Sequence, residues 1–260
     1  SGVAQGFYSG GLSGLRSPSY AYQDWIILPI GGEGQAVMAF RQKDGEVAWK
    51  NQDFPSTFAT PFVSRVGGES QLIVFVDKAV AGLDPSNGEL KWRHEHPTQF
   101  GANISTPVLS KDGCIFIASA YNMGSRGIRL VRHDGRTVPE EMWYNRKMQI
   151  HFGNAIRIGD HVYGSSAFMG PAFFACVDMK TGEFAWKERG IGKASCVYGD
   201  GKMIILAEDG NLFLTSVGPE RIRIHSKFQA CESNAWTVPT LVGRTLFVRD
   251  RKSIMALDLG

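Results

Sequence analysis

A ten-residue unit that recurs along the chain sets the strongest limit on what it can fold into. Phe40–Trp49 reads FRQKDGEVAW, Leu83–Trp92 reads LDPSNGELKW and Val177–Trp186 reads VDMKTGEFAW. Val131–Trp143 (VRHDGRTVPEEMW) is a looser copy with a wider Gly-to-Trp gap. Leu214–Ile224 (LTSVGPERIRI) keeps the Gly and loses the Trp, and the chain ends on the front half, MALDLG. The glycines in register are Gly45, Gly88, Gly135, Gly182, Gly218 and Gly260, at spacings of 43, 47, 47, 36 and 42 residues. A second marker keeps step upstream: Pro18, Pro61, Pro107 and Pro239 each open a short apolar run, with Ala155 and Cys196 in the slots between. Two independent markers sharing one period define six repeats.

Within a repeat the pattern is β. From Thr106 to Trp143 the chain gives a run TPVL, a turn Lys111-Asp112-Gly113, a run CIFIASA, a linker, a run IRLVRH, the Asp134-Gly135 turn and a last strand ending on Trp143. Short β-branched or aromatic runs parted by Asp-Gly or Asn-Gly are hairpin signals. Four such strands in about 43 residues make one antiparallel sheet, the unit of a β-propeller. No segment sustains a 3.6-residue apolar period through a helix of ordinary length, which excludes helical solenoids. Gly45, Gly88, Gly135 and Gly182 are expected to supply positive φ between third and fourth strands. Asp44, Asp84, Asp134, Asp178 and Asp258 can bond the turn amides. Trp49, Trp92, Trp143 and Trp186 then offer flat rings of about 150–250 Å² to the neighbouring sheet and are structural. Trp92→Ala is expected to cost about 3–5 kcal/mol.

The repeats, bounded approximately at 15–50, 57–93, 103–144, 152–187, 193–225 and 236–260, predict a single all-β domain over 1–260. It is a β-propeller of six four-stranded repeats, the last lacking its outer strand, and is expected to be a fragment of a parent with seven or eight blades. Val3–Ser9 (VAQGFYS) is the one unassigned piece able to supply the missing strand, although Gly6 interrupts it. The alternative is an open arc with an exposed edge.

Composition narrows the function classes. Lys+Arg number 28 against 25 Asp+Glu, too small an imbalance to point to nucleic acid or an anionic membrane. The nearest basic clusters, Arg221, Arg223 and Lys227, and Arg249, Arg251 and Lys252, are interleaved with Glu220, Glu232 and Asp250 and read as solvated faces. No apolar run approaches the roughly 18 residues of a membrane helix. Cys114, Cys176, Cys196 and Cys231 form no CxxC and no adjacent pair, so they read as buried small hydrophobes.

The unit VDMKTGEFAW, with its Thr-Pro-opened first strands, resembles the pyrroloquinoline-quinone-like propeller repeat. That family includes quinoprotein alcohol dehydrogenases and the lipoprotein subunit of the bacterial outer-membrane β-barrel assembly machinery. The stretches HFGNAIRIGDHVYGSSAFMGPAFF and RDRKSIMALDLG are similar to a bacterial subgroup, which implies a periplasmic or secreted protein. The resemblance also implies a quinone site built on an adjacent Cys-Cys disulfide, a Trp floor and a calcium set of Glu, Asn and Asp. This chain has no adjacent cysteines and no Asp-rich cluster with calcium-loop spacing. No cofactor is therefore expected, and pyrroloquinoline quinone with calcium is disfavoured.

Propellers bind ligands at the channel mouth, through the loops that lead into each innermost strand. Counting back from the first-strand markers gives Leu15, Phe58, Ile104, Phe152, Lys193 and Trp236, then Gly14, Thr57, Asn103, His151, Gly192 and Ala235. From these, Phe58, Asn103, His151, Phe152, Lys193 and Trp236, with Asn154 in the Thr-Pro slot, are the candidate ligand-binding residues. Asn154 is expected to satisfy strand-end amides. His94 and His96 share a strand face but follow Trp92 at an outer edge, where exposed polar residues are normal, so no metal site is assigned. Gly190-Ile191-Gly192-Lys193 imitates a phosphate loop, but Ala194 stands in the Ser/Thr slot and a strand follows. Asn103-Ile104-Ser105 is a formal glycosylation sequon. No catalytic residue is assigned. The sequence thus points to a monomeric, non-catalytic scaffold binding a protein, peptide or glycan. The alternative is a quinoprotein-like oxidoreductase or another enzyme at the mouth, with His151 for acid/base work.

Overall fold

The computed structural model describes residues 18–260 apart from 56, 57, 169 and 233, with the backbone but not the side chain of Phe100. Val3–Ser9, Gly14, Leu15 and Thr57 lie outside the described residues. Those described form six antiparallel meanders, five of four strands and one of three, and a single short 3-10 turn at Gln99–Gly101. The first sheet holds β1 (Tyr20–Tyr22), β2 (Trp25–Pro29), β3 (Val37–Arg41) and β4 (Val47–Asn51). The second holds β5 (Phe62–Val66), β6 (Glu69–Val76), β7 (Ala79–Leu83) and β8 (Leu90–Glu95). The third holds β9 (Val108–Leu109), β10 (Cys114–Ser119), β11 (Gly124–His133) and β12 (Arg136–Asn145). The fourth holds β13 (Ala155–Ile158), β14 (His161–Ser166), β15 (Phe173–Asp178) and β16 (Phe184–Glu188). The fifth holds β17 (Ala194–Gly199), β18 (Lys202–Ala207), β19 (Asn211–Val217) and β20 (Ile222–Gln229). The sixth holds β21 (Thr240–Val242), β22 (Thr245–Arg249) and β23 (Ile254–Asp258).

Burial follows position within the sheet. The middle strands β7 and β10 are buried along their whole length, because sheets covered on both faces require continuous apolar runs. The fourth strands β4 and β16 alternate between half-buried and exposed residues, as a strand with one wet face does. The chain divides into two compact units, one of residues up to Pro107 with Ile128–Glu141, the other of Val108–Gly127 with Met142–Gly260. In the first unit, Ile27, Val37, Leu72, Val74 and Ala81 form a core that Trp25 and Trp49 flank. In the second, Tyr163, Phe174, Cys196, Ile205 and Phe213 form one cluster and Phe116, Met148, Val162 and Val177 another.

The repeated turn has one geometry in three sheets. Gly45, Gly88 and Gly182 have φ of 75°, 76° and 74°, and their amides donate to the carbonyls of Arg41, Asp84 and Asp178. Only a residue without Cβ tolerates that conformation cheaply. The Asp84 carboxylate accepts Ser86 N–H, and that of Asp178 accepts Lys180 and Thr181 N–H. Burial works against ionisation of Asp178, but the Thr181 and Lys180 amides outweigh it and hold its carboxyl below the ordinary range. The third repeat turns differently: Asp134 and Gly135 both have positive φ, 48° and 77°, giving a two-residue turn between two ten-residue strands. That explains the widened Gly-to-Trp gap. Gly218 departs from the expected register role, since its φ is not positive. Its N–H donates to Arg221 O instead.

Each Trp stands opposite a small residue of the third strand: Ala39 with Trp49, Gly82 with Trp92, Cys176 with Trp186. A strand irregularity follows at once in all three. The space is real, because a Cβ on Gly82 would come within 2.1 Å of the Trp92 ring and one on Gly127 within 2.3 Å of Trp143. Outward, three rings meet the next turn. Trp49 lies against Gly88 and Trp143 against Gly182, and Trp186 Nε1 donates to Gly218 O at 2.8 Å. Trp92 does otherwise. It is buried and donates to Gln71 Oε1 at 2.6 Å, while Gln71 Nε2 donates to Thr137 Oγ1 at 2.8 Å. Gly135, on its tighter turn, has no side chain over it.

Candidate functional site

In the second unit, the segments that lead into β13, β17 and β21 converge with the turns that follow the second strands. The backbone fixes this convergence: Glu208 N–H donates to Lys193 O and Ala235 N–H to Glu208 O. Tyr121 and Asn122 form a left-handed turn after β10, tied down by Asn122 N–H donating to Gln149 Oε1 at 2.9 Å. The result is a continuous aromatic row. Phe168 lies 4.6 Å from Tyr121, Tyr121 stands edge-on to His151 at 5.2 Å, His151 lies 3.9 Å from Phe152, and Phe152 stacks on Trp236 at 5.2 Å and 20°. Trp236 is 38% exposed, so the row ends on a partly exposed indole.

Charges border the row. Lys193 Nζ is 2.9 Å from Glu208 Oε1 and 5.7 Å from the centre of the Phe152 ring. The same Glu208 oxygen accepts Trp236 Nε1–H. The Arg251 guanidinium lies 5.1 Å from the centre of the Trp236 ring, a cation–π arrangement. Tyr121 Oη is 3.0 Å from His151 Nε2. Burial pushes the His151 imidazole below its ordinary range and the Lys193 charge adds to this, with Glu208 opposing. His151 is therefore a neutral member of an aromatic surface at neutral pH.

His151, Phe152, Lys193 and Trp236 are thus brought together, and Asn154 lies beside them in a structural role. Its Nδ2 donates to Cys196 O and its Oδ1 accepts Cys196 N–H, both at 2.8 Å. Phe58 is half-buried between β4 and β5 in the other unit. Asn103 corrects the ligand-binding expectation. It is fully buried, and its Nδ2 donates to the carbonyls of Val76, Asp77 and His96. The same burial closes the sequon. His96 is fully buried beside Phe75, against the expectation of an exposed edge, and His94 lies 3.6 Å from Glu141. The charge run after β22 is also only partly solvated. Asp250 is buried and accepts the amides of Lys252 and Ser253.

Sequence counting missed Tyr121 and Phe168 because it scanned only the approach to each first strand. The signal was available: these residues, Glu208 and Arg251 occupy corresponding turns after the second strand of successive repeats.

The four cysteines are free and buried. Burial pushes the Cys176 thiol up to about 11 and Cys196 to about 12. Among the described residues no three His, Cys, Asp or Glu side chains converge on one point. No helix among them is long and apolar enough to cross a membrane.

Six meanders with this turn and Trp pattern are the sheets of a β-propeller of the pyrroloquinoline-quinone-like repeat class. A family model described as outer membrane protein assembly factor BamB matches residues 14–188, and the chain belongs to that family. The fold is similar to the crystal structure of BamB from Moraxella catarrhalis, with a TM-score of 0.62 and 14% identity, covering 92% of this chain and 68% of that one. It is also similar to the computationally designed Ika8 protein, with a TM-score of 0.59 and 10% identity, covering 93% of this chain and 83% of that one. No curated protein matches the sequence significantly.

Proposed function

We propose that this chain is a non-catalytic, cofactor-free scaffold of the periplasm or cell exterior that binds a protein, peptide or glycan at the aromatic row, and of these a polypeptide segment. The observation that carries the reading is the row from Phe168 to Trp236, bordered by two cations and a carboxylate. Stacked rings take up apolar and aromatic side chains at low entropic cost, and charges of both signs suit a chain that carries both. Membership of a family described as an assembly factor supports a protein partner.

Panning a random-peptide library on the whole chain and on a Phe152→Ala/Trp236→Ala variant tests the reading, with a glycan array as the second arm. Peptides enriched on the wild type should bind the variant at least tenfold more weakly. Equal binding to both would overturn the site. Glycan binding lost in the variant without any peptide enrichment would overturn the polypeptide reading. A turnover abolished by changing His151 would overturn the non-catalytic one.

A further inference from the structure

A second concavity lies where β12 and β16 end. Arg146 and Lys147 follow β12, and Lys187 and Arg189 stand on and just past β16. Together with Gln149 and Phe173 they line a cavity of about 410 Å³. Four cations surround it, and none of them forms an ion pair with a carboxylate among the described residues. Lys187 and Arg189 both line the cavity, while Glu188, next to Lys187 on β16, points to the opposite face of the strand.

The positive charge is held, not merely exposed. The Lys187 ammonium lies 4.0 Å from the Phe184 ring centre and 5.4 Å from that of Phe173, which fixes its long side chain against the sheet. Burial, then the Lys147 and Arg189 charges, push its ammonium below the ordinary lysine range. Like charges gathered without compensation repel one another, and an anion among them removes that repulsion.

We propose that this cavity is a binding site for a phosphate-bearing anion. A single carboxylate matches the charge of four cations poorly, whereas a phosphate monoester or diphosphate carries two or more negative charges and oxygens for both guanidinium forks. Phe173 gives an apolar wall for whatever group the phosphate carries. Such a phosphate could be free or the headgroup of a lipid, and the experiment separates the two.

Inorganic pyrophosphate is titrated calorimetrically into the whole chain, and vesicles of phosphatidylcholine with or without phosphatidic acid, whose headgroup is a phosphate monoester, are co-sedimented with it. A Lys187→Gln/Arg189→Gln variant and an Arg223→Gln/Lys227→Gln variant, which removes equal charge from β20, are run alongside, each with a thermal melt to show that it folds. Pyrophosphate should bind at one site, at least tenfold more weakly in the Lys187/Arg189 variant and unchanged in the Arg223/Lys227 variant. Binding confined to phosphatidic acid vesicles, and lost in the same variant, would assign the phosphate to a lipid. No binding of either probe, or equal loss in both variants, would overturn the site.

Discussion

Trp186 and Trp236 are the same side chain put to opposite uses. Trp186 sits on β16 with Phe174 and Tyr163 beside it, and its Nε1–H donates to the fixed carbonyl of Gly218 at 2.8 Å. Trp236 stands ahead of β21, stacks on one ring only, and donates to a Glu208 carboxylate shared with Lys193. The first ring packs against two sheets and holds them together. The second is 38% exposed, carries the Arg251 guanidinium over its ring, and its polar partner is a side chain that can rearrange. Whether a tryptophan holds sheets together or receives a ligand depends on what covers its ring and what receives its N–H.

The largest test of this contrast is Trp186→Ala, expected to cost about 3–5 kcal/mol in chemical denaturation. Trp92→Ala should cost a similar amount, since it also strips Gln71 of its donor. A loss below about 1 kcal/mol would end the structural reading. Gly182→Ala comes next, at about 1–3 kcal/mol, because its Cβ would approach the Trp143 ring to 2.4 Å at φ +74°. Trp236→Ala should cost only about 0.5–1.5 kcal/mol of stability, the worth of one aromatic stack, while weakening any peptide selected on the wild type. A cost equal to that of Trp186→Ala would erase the distinction. Lys193→Met should fall under about 1 kcal/mol, because the Glu208 pair is only partly shielded from water.

The smallest effect is the pH dependence of the row. The folded-state pKa of His151 lies below its ordinary value of 6.5. Its contribution is therefore complete above about pH 6.5 and is lost as acidification drives a proton onto the folded ring. Thermal melts between pH 7.5 and 5 should show a larger fall for the wild type than for His151→Gln. Identical falls would remove His151 from the titrating groups of the row.

Much of the fold was legible because its signals are local. The Asp-x-x-x-Gly turn works within five residues, so Asp84 with Gly88 and Asp178 with Gly182 could be read directly, as could the alternation of β16. The exceptions are instructive. Gly218 kept the residue without the conformation, since the Arg221 carbonyl engages its amide from a different turn. Trp92 kept the ring but found its acceptor in Gln71. The site was legible by halves. His151, Phe152, Lys193 and Trp236 could be counted out from strand starts. Tyr121 and Phe168 share with Glu208 and Arg251 the turn after the second strand, a signal that the repeat carries, but nothing local says that this turn reaches the approach to another strand. Asn103 misled because its position fitted and its burial was invisible.

The sequence by itself determined that the chain forms short antiparallel meanders with a Trp on the outer strand, because turn chemistry and residue alternation act over a few positions. Only the tertiary structure decided which charges meet. Arg146 and Lys147 stand some forty residues from Lys187 and Arg189, too far apart to read as a cluster, yet the ends of β12 and β16 bring all four around one cavity. Electrostatic interaction depends on distance through space, and the distance along the chain carries no record of it.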